Sequence, residues 1–251
     1  MLLELKSTMT YGPVQSRRLG RSLGINVFPY GRKVCSFDCL YCQYGRVPAL
    51  APAEIGRNFP DVDDILTAVE QALKDLPVLP DYITFSGNGE ATLHPRFKEL
   101  VIGVRQVRDA VSPASKTAIL SNSTMVSDPR VREALALLDV RIMKLDAGTE
   151  EMFARYNCPP PSITLKDTVA GLTALGNVTL QSLFTKGPDG NSSPGHVSAW
   201  VEQVKAINPI FVQVYTLARS SPTTTLLPLD KMELQHIKTL LDAVNVPAGF
   251  F

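Results

Sequence analysis

The chain has 251 residues, of which 45% are hydrophobic, and a formal net charge of +1; that size suits one domain of barrel size or two small ones. The sequence contains no apolar run of about 18 residues, and its N-terminus lacks the basic segment and apolar core of a signal peptide. Three of the four cysteines are clustered, so we expect a protein of the reducing cytoplasm that has no membrane partner.

Six short apolar segments predict β-strands. The first covers residues 22–28, where Leu23, Ile25 and Val27 alternate onto one face before Pro29 ends the strand. The same features of length, composition and flanking turn residues predict strands at 82–86, 117–120, 140–146, 178–184 and 210–217.

A helix is predicted after each strand. In the first helix, Val62, Ile65 and Val69 recur at helical spacing behind Asp61, and Pro77 ends the pattern. Capping residues and helical spacing predict the later helices, which begin at Pro95, at Asp128-Pro129, at Thr164 with Asp167, before Val197, and at Asp230 with Glu233.

Six strand–helix units predict a parallel sheet with right-handed crossovers. Because a closed barrel needs eight such units, the predicted fold class is α/β, with a partial, open (β/α)6 TIM-like barrel over residues 1–251 as a single domain. In such folds, the loops after the C-terminal ends of the strands form one site. That end of the predicted sheet carries the cysteine segment 35–42, residues 87–90 and 121–124, Asp146, and the loop after Leu217.

Cys35, Cys39 and Cys42 follow the first strand with C-x3-C-x2-C spacing. Thiolates bind iron–sulfur clusters and zinc. Three cysteines leave one iron of a four-iron cluster open to a ligand that is not protein, whereas a structural zinc ion needs a fourth protein ligand. The spacing therefore favours an open-site [4Fe–4S] cluster over zinc with a remote ligand such as His94. A zinc-stabilised nucleic-acid binding module without catalysis is the alternative from another functional class.

The cysteine segment, with an aromatic residue before its last cysteine, resembles the cluster loop of the radical S-adenosylmethionine (SAM) superfamily. Residues 87–90 are similar to the Gly-Gly-Glu element that members carry after the second strand. The resemblance implies the radical SAM barrel, a [4Fe–4S] cluster and SAM as cofactors, and reductive cleavage of SAM to a 5′-deoxyadenosyl radical. The residues then expected to contact the cofactors are Tyr41, Gly87, Asn88, Gly89, Glu90, Ser121, Asn122 and Ser123.

Longer segments resemble the subgroup of iron–sulfur oxidoreductases that includes the wyosine tRNA-base synthases; they lie at 11–26, 86–95, 144–147 and 208–215. Substrate identity does not follow from this resemblance: a tRNA base is one candidate substrate, and a peptide or small metabolite is the alternative. Archaeal members of that subgroup carry further N-terminal cysteines and eukaryotic members carry a flavodoxin domain, whereas this chain has only Cys158 outside the motif. We therefore expect a single cluster and an external electron donor such as flavodoxin or ferredoxin.

Lys144 and Asp146 lie two residues apart on one strand and so share a face, which makes them the candidate catalytic pair. A lysine whose pKa is lowered by desolvation forms a Schiff base with a carbonyl substrate. The alternative is a Lys144–Asp146 ion pair. Gln181, Gln213 and Tyr215 are polar strand residues that either face the same cavity or pack in the core.

Positive charge is concentrated near the N-terminus. Residues 1–46 carry seven Lys or Arg and two acidic residues, which gives +5, and the remaining residues therefore carry −4. Residues 1–20 are predicted as a basic extension to the barrel, with Arg17, Arg18 and Arg21 as candidate phosphate-binding groups. The alternative is a solvated loop with surface carboxylate partners.

Overall fold

The computed structural model describes residues 2–29, 31–52, 59–219 and 221–251. The described residues form ten strands, which are β1 (Thr10–Ser16), β2 (Gly20–Ile25), β3 (Tyr82–Phe85), β4 (Lys116–Ser121), β5 (Val140–Lys144), β6 (Thr179–Leu183), β7 (Thr185–Lys186), β8 (Phe211–Tyr215), β9 (Leu227–Pro228) and β10 (Ala248–Phe250).

One sheet contains eight of these strands, in the order β1-β2-β3-β4-β5-β6-β8-β10. Strands β2 to β10 of that sheet pair in parallel, and β1 pairs with β2 in the antiparallel sense. β7 and β9 form a separate antiparallel ribbon. The prediction of a partial α/β barrel is confirmed, because strand and helix alternate and the sheet is mostly parallel.

Seven helices connect the strands: α1 (Val62–Asp75), α2 (Phe97–Val111), α3 (Pro129–Ala136), α4 (Glu150–Tyr156), α5 (Leu165–Leu175), α6 (Pro194–Ile207) and α7 (Lys231–Asp242). The predicted caps form at Asp61, Asp128 and Thr164, where each side chain accepts a backbone N–H, and at Asp230, which forms a capping box with Glu233. No helix in the described part of the chain is both long and apolar enough to cross a membrane.

Besides the short ribbon strands β7 and β9, the structure adds three elements that the sequence pattern did not predict. β1 lies within residues 1–20, so that part of the predicted basic extension is an edge strand of the sheet. α4 follows β5 directly, so two helices connect β5 to β6. β10 contains Phe250, one of the two C-terminal phenylalanines, and forms the opposite edge of the sheet.

Helices and sheet enclose one apolar core, and the inner face of the sheet also carries polar side chains. Ser22 and Thr84 share a hydrogen bond of 2.7 Å between their hydroxyls. Lys144, Gln181 and Gln213 are register partners on β5, β6 and β8 and so form one row across the sheet. A polar row of this kind in a sheet buried on both faces marks the side that surrounds a cavity.

α6 packs against the end of β5, and this contact fixes the start of the loop that carries Asp146. The indole Nε1 of the fully buried Trp200 donates to the carbonyl of Leu145 at 2.9 Å. Gly148 lies directly against the same helix: a Cβ at this position would sit 2.1 Å from the backbone nitrogen of Trp200.

We therefore predict that Gly148→Ala lowers the free energy of unfolding by about 1–3 kcal/mol, because the helix must move to admit the methyl group. The matched control is Gly195→Ala in α6, where a Cβ meets no atom within 4 Å. That control should leave stability unchanged or raise it by up to about 1 kcal/mol. Chemical denaturation of both variants measures the difference, and equal stabilities would contradict the packing.

Candidate functional site

A cavity of about 470 Å³ opens at the C-terminal ends of the strands. Its wall is formed by the cysteine segment after β2, the loops after β3 and β4, and the last residues of β5, β6 and β8. Cys35, Cys39 and Cys42 all line this cavity. The strand order therefore brings together residues that are far apart in the sequence, as the barrel prediction requires.

Every cysteine of the motif accepts a hydrogen bond from a different side chain: Asn122 Nδ2 donates to Cys35 Sγ at 3.5 Å, Asn157 Nδ2 to Cys39 Sγ at 3.5 Å, and Lys33 Nζ to Cys42 Sγ at 3.6 Å. Donors directed at cysteine sulfur stabilise the thiolate form and raise the reduction potential of a bound iron–sulfur cluster. The donor set therefore fits a centre held by thiolates.

Burial raises the pKa of Cys35 to about 11 and that of Cys39 to about 12. These thiols therefore hold their protons at neutral pH until a metal displaces them. In the described ranges of the chain, no three His, Cys, Asp or Glu side chains are close enough to hold a single metal ion. The chemistry of the donor set, three thiols on one cavity wall, is that of soft metal centres such as iron–sulfur clusters.

The loop after β3 packs directly beside the cysteine segment. Gly89 forms a parallel bridge with Val34, and a Cβ on Gly89 would lie 1.7 Å from the Val34 carbonyl oxygen. Gly89 also has φ of +143°, a conformation that favours glycine. Gly87 and Gly89 line the cavity. The absence of side chains at these positions lets the loop approach both the cysteine segment and the cavity.

The side chain of Asn88, the residue between the two glycines, forms hydrogen bonds with the backbone of other segments. Its Nδ2 donates to the carbonyls of Lys6 and Phe28, and its Oδ1 accepts the N–H of Lys6. It is 1% exposed and is not among the residues that line the cavity. Asn88 thus ties the N-terminal segment to the loop that approaches the cysteines, and its expected contact with a cofactor stays a prediction.

Glu90 connects the loops after β3 and β4. Its Oε1 accepts from the Thr92 hydroxyl at 2.6 Å and from the Ser121 hydroxyl at 3.0 Å, and its Oε2 accepts the backbone N–H of Asn122. Burial raises the pKa of this carboxyl group, and the hydrogen bonds oppose that effect. Glu90, Ser121 and Asn122 line the cavity, whereas Ser123 is fully buried and donates to the Lys144 carbonyl at 2.9 Å.

Tyr41 joins the cysteine segment to the end of β5. Its hydroxyl donates to the Asp146 carboxylate, and this buried carboxylate also accepts from Asn157 Nδ2 at 2.9 Å and from the backbone N–H of Leu183 at 2.9 Å. Lys144 Nζ lies 3.6 Å from Asp146. Asp146 therefore holds the cysteine segment, α4 and β6 together behind the cavity wall.

Lys144 lies at the inner wall of the cavity. Its ammonium group donates to the Tyr215 hydroxyl at 3.1 Å and pairs with Asp146. Burial lowers the pKa of Lys144, but the Asp146 carboxylate, Tyr215 and Cys39 together outweigh that effect, so the pKa lies above the ordinary lysine value. Of the two roles expected for Lys144, the structure contains the ion pair.

The basic residues near the N-terminus divide into two groups. Arg17 and Arg18 line the cavity, and the Arg18 guanidinium lies 4.9 Å from the centre of the Tyr215 ring. Arg21 instead donates to the Leu79 carbonyl and is not among the cavity residues. The cavity also contains Arg219, which the sequence pattern did not single out.

Sequence reasoning also missed Lys33 and Asn157. Lys33 stands two residues before the motif and was counted only as part of the basic segment. Asn157 reaches Cys39 across 118 positions of sequence, and no local pattern marks it. Cys158, next in the chain, donates its S–H to the Arg155 carbonyl at 3.2 Å and is not among the residues that line the cavity.

Comparison with known proteins gives longer relatives that align with most of this chain. A UPF0026 protein of Helicobacter pylori is 30% identical over 218 residues, which are 85% of this chain and 67% of that protein. A UPF0026 protein of Synechocystis is 32% identical over 84% of this chain and 76% of that protein. A Brachyspira hyodysenteriae protein named GTPase Obg is 31% identical over 98% of this chain, which spans only 36% of its length. No protein-family model matches.

Solved structures with a similar fold include a radical SAM methyltransferase and a protein bound to S-adenosylmethionine. Streptococcus suis SuiB bound to S-adenosylmethionine has a TM-score of 0.63 at 14% identity and covers 88% of this chain, which spans 49% of SuiB. A radical SAM methyltransferase from Sphaerobacter thermophilus has a TM-score of 0.64 at 14% identity, with coverage of 92% and 66%. TYW1 with a lysine-pyruvate adduct has a TM-score of 0.61 at 15% identity, with coverage of 88% and 73%. The resemblance to the radical SAM superfamily is thereby confirmed at the level of the fold.

The position of Glu90 predicts a structural effect that is independent of any cofactor. Glu90→Gln places an amide against the N–H groups that now bind a carboxylate, so the free energy of unfolding of the cluster-free protein should fall by about 1–3 kcal/mol. Glu99→Gln, on the exposed side of α2, is the control and should change stability by less than about 0.5 kcal/mol. If Glu90→Gln kept wild-type stability and lost only affinity for SAM, Glu90 would be a ligand of SAM instead.

Proposed function

The chain belongs to the UPF0026 family, and we propose that it is a radical SAM enzyme. In this proposal, Cys35, Cys39 and Cys42 hold a [4Fe–4S] cluster, and SAM binds in the adjoining cavity. The observation that carries the proposal is that the three thiols line one cavity at the C-terminal end of a radical SAM barrel, each with its own hydrogen-bond donor.

When bound, the cluster would supply an open iron site for SAM and the electron for reductive cleavage of SAM. The protein positions the cofactors and excludes water from the cavity. Gly87 and Gly89 present bare backbone to the cavity, as close contact with the amino and carboxylate groups of SAM requires. Glu90 holds that loop in place through Ser121 and Asn122.

Tyr41 and Asn157 keep the cysteine segment in register with the barrel, because both donate to Asp146. The apolar residues Phe37, Leu120 and Leu183 also line the cavity and limit the access of water. We further propose that a separate protein such as flavodoxin or ferredoxin delivers the electron. Its contact surface would lie over the cysteine segment, where the path to the cluster is shortest.

The substrate of the reaction is proposed at the level of its class. TYW1 provides one comparison, since that structure contains a lysine-pyruvate adduct. Lys144 is the lysine of this chain that lies at the inner wall of the cavity beside Tyr215. A protonated, ion-paired lysine is a poor nucleophile, so we propose that Lys144 binds rather than attacks the substrate. A tRNA base stays one candidate substrate, with a peptide or small metabolite as its alternative.

The cluster assignment predicts that three of the four cysteines are required for cluster binding and SAM cleavage and that the fourth is not. Replacement of Cys35, Cys39 or Cys42 by Ala should abolish both the iron content of the reconstituted protein and the formation of 5′-deoxyadenosine from SAM. Cys158→Ala is the matched control, because that thiol lies outside the cavity, and it should retain both. Iron analysis and chromatography of the product measure the two properties. Loss of the cluster in the Cys158 variant would exclude the assignment of three cysteine ligands.

The raised pKa of Lys144 predicts that this lysine does not form a Schiff base at neutral pH. Incubation with pyruvate and cyanoborohydride, followed by peptide mass spectrometry, should leave Lys144 unmodified, while TYW1 serves as the positive control. The reason is the Asp146 carboxylate, which keeps the amine protonated. A reduced pyruvate adduct at Lys144 that disappears in Lys144→Arg would show that the lysine is a nucleophile.

A further inference from the structure

The described residues that line the cavity carry more positive than negative charge. Five cationic residues line it: Arg17, Arg18, Lys33, Lys144 and Arg219. Glu90 is the one carboxylate among the described lining residues, and it already accepts four hydrogen bonds from the neighbouring loops. The lining residues of the cavity are therefore net positive.

Two of these cations have carboxylate partners behind the wall. Lys33 Nζ lies 3.6 Å from Asp38, and Lys144 Nζ lies 3.6 Å from Asp146. Arg17, Arg18 and Arg219 differ, because none of their guanidinium groups forms an ion pair or a hydrogen bond within the described residues. By contrast, the guanidinium groups of Arg46, Arg96, Arg108 and Arg130 each contact a carboxylate of the chain.

Tyr215 brings two of the positive groups close together. Its ring lies under the Arg18 guanidinium at 4.9 Å, and its hydroxyl accepts from the Lys144 ammonium group at 3.1 Å. Lys144 already has Asp146 as its carboxylate partner, whereas an anion next to Tyr215 would stabilise the Arg18 guanidinium group. Arginine suits this role because its planar group binds phosphate or carboxylate oxygens in pairs.

The cofactors of the proposed function do not supply this anion. A four-iron cluster with three thiolates and SAM carry net charges of opposite sign, so together they offset each other. In the proposed function the cluster would be held by the three cysteines, whereas Arg18 contacts Tyr215 at the end of β8. The unpaired arginines are therefore left for a third molecule in the cavity.

We propose that Arg17, Arg18 and Arg219 form a subsite for an anionic group of the substrate, a phosphate or a carboxylate. This inference rests on the proposed function and specifies its substrate class: a molecule that places a negative group next to Tyr215 and a hydrogen-bearing carbon toward the cysteine wall. Arg17 and Arg219 are exposed and Arg18 is half-buried, so a substrate with a negative group gains charge-assisted hydrogen bonds at the mouth of the cavity that a neutral substrate cannot form.

The test uses protein that carries the reconstituted cluster and SAM, titrated with inorganic phosphate and with succinate as probes. We expect at least one probe to bind the wild type with a dissociation constant of about 1 mM or tighter. Arg18→Gln and Arg219→Gln should each weaken that binding about tenfold or more, since each removes charge-assisted hydrogen bonds. The probe that binds more tightly identifies the group as phosphate or carboxylate.

Arg130→Gln on α3 is the control, because its side chain is 85% exposed and the charge change is the same. Its probe affinity should stay within about twofold of wild type. Iron content and the dissociation constant of SAM are measured in every variant, so that failure of the proposed function is recognised separately. The inference is overturned if neither probe binds, if Arg130→Gln loses as much affinity, or if the two cavity variants lose SAM affinity instead.

Discussion

The buried carboxylate of Asp146 is the interaction on which the site depends. It accepts the hydroxyl of Tyr41, the amide of Asn157 and the backbone N–H of Leu183, and it pairs with Lys144. These partners belong to the cysteine segment, the end of α4, the end of β6 and the end of β5. Because a buried charge must keep its partners, one side chain fixes the cysteine segment against the barrel.

The helices and the parallel sheet could be predicted because their signals are local. Asp61 and Asp230 cap helices through contacts within three residues, and apolar spacing marks the faces that become buried. Strand β1 was missed because Gly12 and Pro13 interrupt its pattern and β2 supplies its pairing partner. A strand that depends on its neighbour leaves no periodic signal of its own.

Part of the candidate site could be predicted because its sequence signals are also local. The spacing of the cysteines and the turn at Gly87–Glu90 are each recognisable within a short stretch of sequence. The barrel fold then brings these two segments together. The donors to the sulfurs come from elsewhere: Asn122 lies 87 positions from Cys35. A side chain that reaches the site from a distant part of the sequence can be identified only when the fold is known. Arg219, which lines the same cavity, could not be identified from the sequence for the same reason.

The central claim is that three cysteines hold a four-iron cluster whose open iron binds SAM. The most direct measurement is electron–nuclear double resonance of the anaerobically reconstituted, reduced protein, with SAM isotopically labelled at its amino nitrogen and carboxylate oxygens. The account predicts hyperfine coupling of both labelled groups to the cluster and its loss in Cys39→Ala. A colourless protein that binds zinc, or a cluster without coupling to the labelled SAM, would contradict it.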